Sequence, residues 1–234
     1  MALNTAKHKN ILVKILKDIY TDPAISTILG FKGGTAAAFF YGLDRFSVDV
    51  DIDLLDAGKE DDVFKRVKAI LENYGKLRQA RKKRFNILYV LSYDDKDINA
   101  QNVKVEINRR EFGSKYEVRS FLGISMNVMA KEDMAAHKLC AMYERIGKTN
   151  RDIFDVQFFL SRDWPVNRKI IEERTGMTYK EFLEKCVAAL EKFDDSKILS
   201  GMGELLTEKQ KNWAKTKLKS EALFSLRLAL EKER

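Results

Sequence analysis

Asp49, Asp51 and Asp53 alternate with Val48, Val50, Ile52 and Leu54 without a break. Successive side chains of a strand point to opposite faces, so this pattern predicts a strand with its carboxylates on one face and its aliphatic residues on the other. Like charges crowded on one face repel. A divalent cation between them would offset that cost, and hard oxygen ligands suit Mg²⁺ or Mn²⁺. Upstream stands Gly33-Gly34-Thr35, a turn small enough for backbone N–H groups to approach a phosphate, with a helix start behind it. A phosphate cradle beside paired aspartates is the layout of metal-dependent phosphoryl or nucleotidyl transfer. A solvated acidic strand after an ordinary glycine turn would use the same residues. The strict alternation and the nearness of the turn favour the chemical reading.

Further candidates are spread along the chain. Val103, Val105 and Ile107 alternate with Lys104, Glu106 and Asn108, so a second strand carries Lys104 and Glu106 on its polar face. Lys138 interrupts an apolar helical pattern, where a lysine can also simply snorkel. Asp152 and Asp155 share a helix face three residues apart, and an Arg151–Asp155 pair along the helix is the alternative reading. Arg45 and Ser47 precede the aspartate strand and could bind phosphate or brace the carboxylates. His8 and His137 are the only histidines, too few for a zinc cluster. His137 and Cys140, three apart on one helix, lack the third group that would orient a nucleophile pair. Neither a Walker A sequence nor Gly-x-Gly-x-x-Gly occurs.

In order along the chain, four segments resemble the motifs of the AbiEii/AbiGii toxin nucleotidyltransferases, members of the DNA polymerase β-like nucleotidyltransferase superfamily. Gly33-Gly-Thr35 with Tyr41-Gly-Leu-Asp-Arg-Phe-Ser-Val-Asp-Val-Asp51 is similar to the first motif. Lys104-Val-Glu106, Asp133-Met-Ala-Ala-His-Lys138 and Arg151-Asp-Ile-Phe-Asp155 are similar to the second, third and fourth. The resemblance implies Asp49, Asp51 and Glu106 as metal ligands, with Lys138 and Asp152 completing the catalytic set. It implies Gly33, Gly34, Thr35, Arg45, Ser47, Lys104 and Lys138 as contacts to the nucleotide. Asp51-Ile-Asp53 is an equally good Asp-x-Asp pair, and the position of Arg45-Phe-Ser47 favours the earlier register. The implied reaction moves NMP from an NTP to an acceptor hydroxyl with Mg²⁺ or Mn²⁺. RNA is the implied acceptor, the tRNA acceptor end being one candidate, within a toxin–antitoxin or abortive-infection system whose antitoxin shares the operon. A small-molecule or protein acceptor, or an inactive nucleotide- or RNA-binding module on the same fold, would keep the architecture and change the function.

Composition frames these sites. A chain of 234 residues with 45% hydrophobic and 33% charged residues can bury a sizeable core, and no apolar run suits a membrane span. Two cysteines, Cys140 and Cys186, both on expected helices, read as reduced thiols of a cytoplasmic protein. A net charge of +8 is compatible with a nucleic-acid partner. Lys76, Arg78, Arg81, Lys82, Lys83 and Arg84 form one basic cluster, and Lys209, Lys211, Lys215, Lys217 and Lys219 another around Trp213.

The periodicities predict an α+β protein, with a mixed β-sheet flanked by helices over residues 1–124 and a C-terminal α-helical domain over residues 125–234; the resemblance implies that the first is the nucleotidyltransferase domain. Strands are expected over 24–31, 48–55, 84–93, 103–108 and 116–121, a short helix over 35–41 and an amphipathic helix over 63–74. Asp94-Asp-Lys-Asp97 reads as a turn. The cleft between the halves is expected to hold Gly33, Gly34, Asp49, Asp51 and Lys138.

Overall fold

A computed structural model describes residues 4–93 and 102–233. The expected turn at Asp94–Asp97 lies outside the described residues. Contacts divide the chain into two compact units. One gathers the residues up to Glu111 with Tyr116–Met129, the other Phe112–Lys115 with Ala130–Arg234.

The first unit is built on a mixed sheet of seven strands in the order β3-β4-β5-β2-β1-β7-β6. The strands are β1 (Leu29–Lys32), β2 (Asp49–Leu54), β3 (Lys76–Lys82), β4 (Asn86–Ser92), β5 (Asn102–Asn108), β6 (Tyr116–Phe121) and β7 (Ile124–Met129). Helices α1 (Thr5–Thr21), α2 (Gly33–Phe40) and α3 (Glu60–Glu72) flank it. The apolar sides of α1 and α3 are fully buried, through Leu12, Ile15, Leu16 and Ile19 and through Val63, Val67 and Leu71. Against them lie the inward residues Val50, Ile52, Val103, Val105 and Ile107, all without exposed surface. Burial of a side chain of this kind contributes about 1.5–3 kcal/mol, and the alternation leaves the polar residues no choice of face.

Two strands were not legible as strands. β3 is a charged edge strand read from the sequence only as a basic cluster. Charges on an edge discourage pairing with another chain, which is a structural reason for them. β7 continues the sheet to Met129, past residue 124, and ends where helix α4 (Lys131–Arg145) begins. The stretch before β1 is a 3₁₀ turn, Ser26–Ile28, so that strand starts later than the apolar run suggested.

The second unit is helical: α4, α5 (Arg151–Leu160), α6 (Arg168–Thr175), α7 (Tyr179–Lys192), α8 (Glu208–Trp213) and α9 (Lys219–Glu231). Thr178 and Glu181 form the expected capping box at the start of α7. One π-helical turn, Ala214–Leu218, joins α8 to α9.

Candidate active site

β2 enters the sheet between β1 and β5, and its register decides what faces what. Asp51 pairs laterally with Glu106 on one side and Lys32 on the other. Asp49 pairs with Lys104, and Asp53 with Asn108 and Gly30. Laterally paired residues share a sheet face, so Asp49, Asp51, Asp53, Lys104, Glu106 and Asn108 form one polar field.

The three aspartates differ in how they are engaged. Asp53 is 7% exposed and fully committed. Its Oδ1 accepts from Lys32 Nζ at 2.5 Å and from Asn108 Nδ2 at 2.6 Å, and its Oδ2 accepts from the Tyr116 hydroxyl at 2.5 Å. The Tyr116 ring packs against Gly30, where any Cβ would stand 2.2 Å from the ring. Asp49 and Asp51 are only half-buried. The Asp51 carboxylate abuts the glycine turn: a Cβ on Gly33 would come within 2.3 Å of Asp51 Oδ2, and Gly33 has φ of +78°. Glycine is therefore required there both for conformation and for space.

That turn is the N-terminus of α2. Lys32 makes no side-chain cap there, and the first N–H groups of such a helix are donors suited to an anion. Gly34 faces the Arg45 guanidinium and the Ser47 hydroxyl, 2.8 and 2.9 Å from where its Cβ would be. Thr35 is buried, its hydroxyl 2.9 Å from Ser47 Oγ and donating to the Asp49 carbonyl. Turn and aspartate strand are thus fastened to each other at the position where a triphosphate would meet the carboxylates. Arg45 is itself buried and donates to the Phe46 carbonyl at 2.9 Å, which braces the approach to β2.

Glu106 is engaged from both sides. It pairs with Lys104 at 2.5 Å and accepts from Asn86 Nδ2 at 2.5 Å. Burial alone would raise its pKa; Lys104, Asn86 and the nearby Lys83 outweigh that and hold the carboxyl below the ordinary range. Burial would likewise depress the Lys104 ammonium, but Glu106, Asp49 and Asp51 raise it.

A metal ligand set was expected from Asp49, Asp51 and Glu106. Among the described residues no three His, Cys, Asp or Glu side chains gather as such a set. Glu106 turns instead to Lys104 and Asn86. The half-buried pair Asp49 and Asp51, all-oxygen and beside a phosphate-sized turn, nonetheless fits Mg²⁺. That ion is commonly held by one or two carboxylates and completed by substrate phosphates and water.

His8 was missed as part of this region. It is 1% exposed, and its Nε2 donates to the Val48 carbonyl at 2.9 Å while Nδ1 accepts from the Tyr93 hydroxyl at 2.8 Å. Burial lowers its pKa against the opposing pull of Val48 and Asp49, so it is neutral near pH 7 and pins the start of the aspartate strand. No spacing signal links residue 8 to residue 48; only the tertiary fold does.

In the helical unit, Lys138 is 9% exposed and bonds Asp152 Oδ1 at 3.1 Å and Asp155 Oδ2 at 2.7 Å. Arg145 Nη2 lies 2.7 Å from Asp152 Oδ2. Both aspartates are fully buried, and Lys138 and Arg145 of α4 bring positive charge to them on α5, Arg145 by proximity without hydrogen-bond geometry at Asp152 Oδ2. Asp155 thus has Lys138 of α4 as a partner, a pairing across helices that the sequence spacing did not offer. Asp133 does not join them. It accepts from the Lys115 N–H and from Asn167 Nδ2 at 2.6 Å and anchors the Phe112–Lys115 segment. His137 is held by Ser114 and Arg174 at 2.8 and 2.9 Å. Burial pushes the Cys140 thiol up to about 11, which removes it as a nucleophile.

The chain is a nucleotidyltransferase: a family model described as "Nucleotidyl transferase AbiEii toxin, Type IV TA system" matches residues 14–225. It belongs to the AbiEii family of nucleotidyltransferase toxins, as the four motifs implied. Among solved structures, JHP933 from Helicobacter pylori has a similar fold, with a TM-score of 0.62 at 22% identity over 100% of this chain and 96% of that one. MenT4, a nucleotidyltransferase toxin from Mycobacterium tuberculosis, superposes with a TM-score of 0.58 at 16% identity over 95% of this chain and 84% of that one. No curated protein matches the sequence significantly. No helix among the described residues is long and apolar enough to cross a membrane.

Proposed function

We propose that this nucleotidyltransferase transfers NMP from an NTP to a hydroxyl of RNA, with Mg²⁺ or Mn²⁺ held by Asp49 and Asp51, as the toxin of a pair with a cognate antitoxin. The observation that carries the reading is the fastening of the Gly33–Thr35 turn to the aspartate strand by Thr35, Ser47 and the Asp51–Gly33 contact. It supports the reading because N–H groups of a kind suited to an anion then lie beside carboxylates suited to a divalent ion. A bound divalent ion would neutralise triphosphate charge and favour ionisation of the attacking hydroxyl.

The chain's own groups do the rest. The start of α2 orients the phosphates, and Arg45 and Lys104 balance their charge. The acceptor oxygen bonds to the α-phosphorus, the bond from that phosphorus to the β-phosphate oxygen breaks, and pyrophosphate departs. Glu106, ionised at neutral pH, faces the acceptor side of the polar field and takes the hydroxyl proton. Lys138 and Asp152 keep their assignment through the motif matches, with Asp152 and Asp155 holding the Lys138 ammonium in place.

The net charge of +8 and the basic edge β3 favour RNA over a small neutral acceptor. The test is incubation of the protein with each labelled NTP, Mg²⁺ and total RNA. Label in RNA, lost in Asp49→Asn and Asp51→Asn, is expected. Label confined to a small molecule or to protein would replace the acceptor while keeping the enzyme class.

A further inference from the structure

We infer that Phe85, at the tip of the β3–β4 hairpin, is a base-stacking platform for a single-stranded RNA acceptor, with Arg81 and Lys83 leading the strand from it to Asp51. The inference rests on the RNA reading above and assigns it a surface.

The sheet register defines the path. Arg81 pairs with Leu88, Leu88 with Glu106, Glu106 with Asp51 and Asp51 with Lys32. One row of side chains on one face therefore runs from the edge of the sheet to the metal-binding carboxylates. At about 4.8 Å per strand, Arg81 stands about 14 Å from Asp51 along that row. One step along the strands, Lys83 N–H donates to the Asn86 carbonyl at 2.7 Å, and Asn86 pairs with Asn108, which pairs with Asp53. Lys83 therefore belongs to the same face, and its charge is felt at Glu106. Lys82 does not belong to it. It pairs with Ile87 on the opposite face, where α3 neutralises it through Glu60 at 3.0 Å and Asp61. The basic cluster thus divides by strand parity: Arg81 and Lys83 face the reaction and Lys82 is structural.

Phe85 is 47% exposed, unusual for a phenylalanine held on a rigid turn. Its carbonyl accepts from the Arg109 N–H at 2.9 Å, and the Arg109 guanidinium binds both the Lys83 carbonyl and Glu60. The guanidiniums of Arg84 and Arg110 lie 4.8 and 5.4 Å from the ring centroid. Both guanidiniums lie over the ring, and planar guanidiniums stack on bases themselves, so a ring still 47% exposed beside them suits a base with its phosphates close by. It cannot serve a base stacked within a duplex, so the acceptor end must be single-stranded at this point.

Phe85→Ala should weaken binding of a single-stranded RNA oligonucleotide about 5- to 100-fold, the loss typical of one stacked base. NTP KM and the melting temperature should stay unchanged, and Phe85→Trp should restore affinity. Arg81→Ala with Lys83→Ala should lower the salt dependence of binding, while Lys82→Ala should not. If wild-type protein labels RNA but Phe85→Ala binds and labels it equally well, the platform is wrong and the RNA reading stands. If wild-type protein transfers label only to a small molecule or a protein, both fall. Equal affinity for a duplex of the same sequence would also overturn the platform.

Discussion

At the residue scale, the three aspartates are told apart by their partners and not by their spacing. Asp-x-Asp occurs twice in Asp49–Asp53, and the sequence could rank the two only by motif alignment. The structure ties Asp53 to Lys32, Asn108 and Tyr116 and sets the half-buried Asp51 carboxylate against Gly33 of the turn. Asp49→Asn should therefore abolish transfer with an unchanged or slightly raised melting temperature in metal-free buffer, because it relieves repulsion. Asp53→Asn should cost about 1–3 kcal/mol of stability, since it leaves buried donors poorly matched. Chemical denaturation beside single-turnover assays of both variants separates the two roles; equal loss of activity at unchanged stability would contradict the assignment of Asp53.

His8 makes a pH prediction of definite sign. Its folded pKa lies below the ordinary 6.5 because burial opposes its charge. The unfolded chain then binds the proton more readily, so the stability His8 contributes is complete above pH 6.5 and is lost as pH falls through its folded pKa. The melting temperature should drop as pH falls from 7 to 5, and His8→Gln should flatten that slope. A slope unchanged in the variant would reject the neutral, buried histidine. Glu106, also depressed, should lose its contribution only below about pH 4.5.

At the scale of elements, alternation exposed the strands that bury one face and hid those that do not. β2 and β5 announced themselves because their aliphatic and polar residues segregate cleanly. β3 did not, since an edge strand with charges on both faces has no hydrophobic period to read. β7 was obscured because the helical unit follows after a single residue. The β6–β7 hairpin turns on Leu122 and Gly123, both with positive φ, 51° and 77°. Gly123 suits that turn and Leu122, 74% exposed, does not. Leu122→Asn should stabilise the protein by about 1 kcal/mol, read as a higher denaturation midpoint at unchanged slope. In the helical unit, Lys138→Met would take the shared cation from two buried carboxylates and should cost about 3–5 kcal/mol, whereas an exposed lysine would cost almost nothing. That network was only half legible: the Lys138, Asp152 and Asp155 positions stood out by motif, but the part of Arg145 depends on how α4 packs on α5.

At the scale of the whole molecule, four motifs in one order pointed to the family that the match over residues 14–225 shows. Solved structures of similar fold share only 16–22% of residues with this chain. What the motifs could not supply was which groups serve chemistry and which serve the scaffold. Asp53, Tyr116, His8 and Asn86 are polar and near the site, yet they hold strands and turns in place. The most direct test of the account is incubation with Mg²⁺, total RNA and each NTP in turn, labelled either at the α-phosphate or at the γ-phosphate. The account predicts that α-label enters RNA from at least one NTP, that γ-label never does, and that Asp49→Asn removes the transfer. Transfer of γ-label, or undiminished α-label transfer by Asp49→Asn, would contradict it.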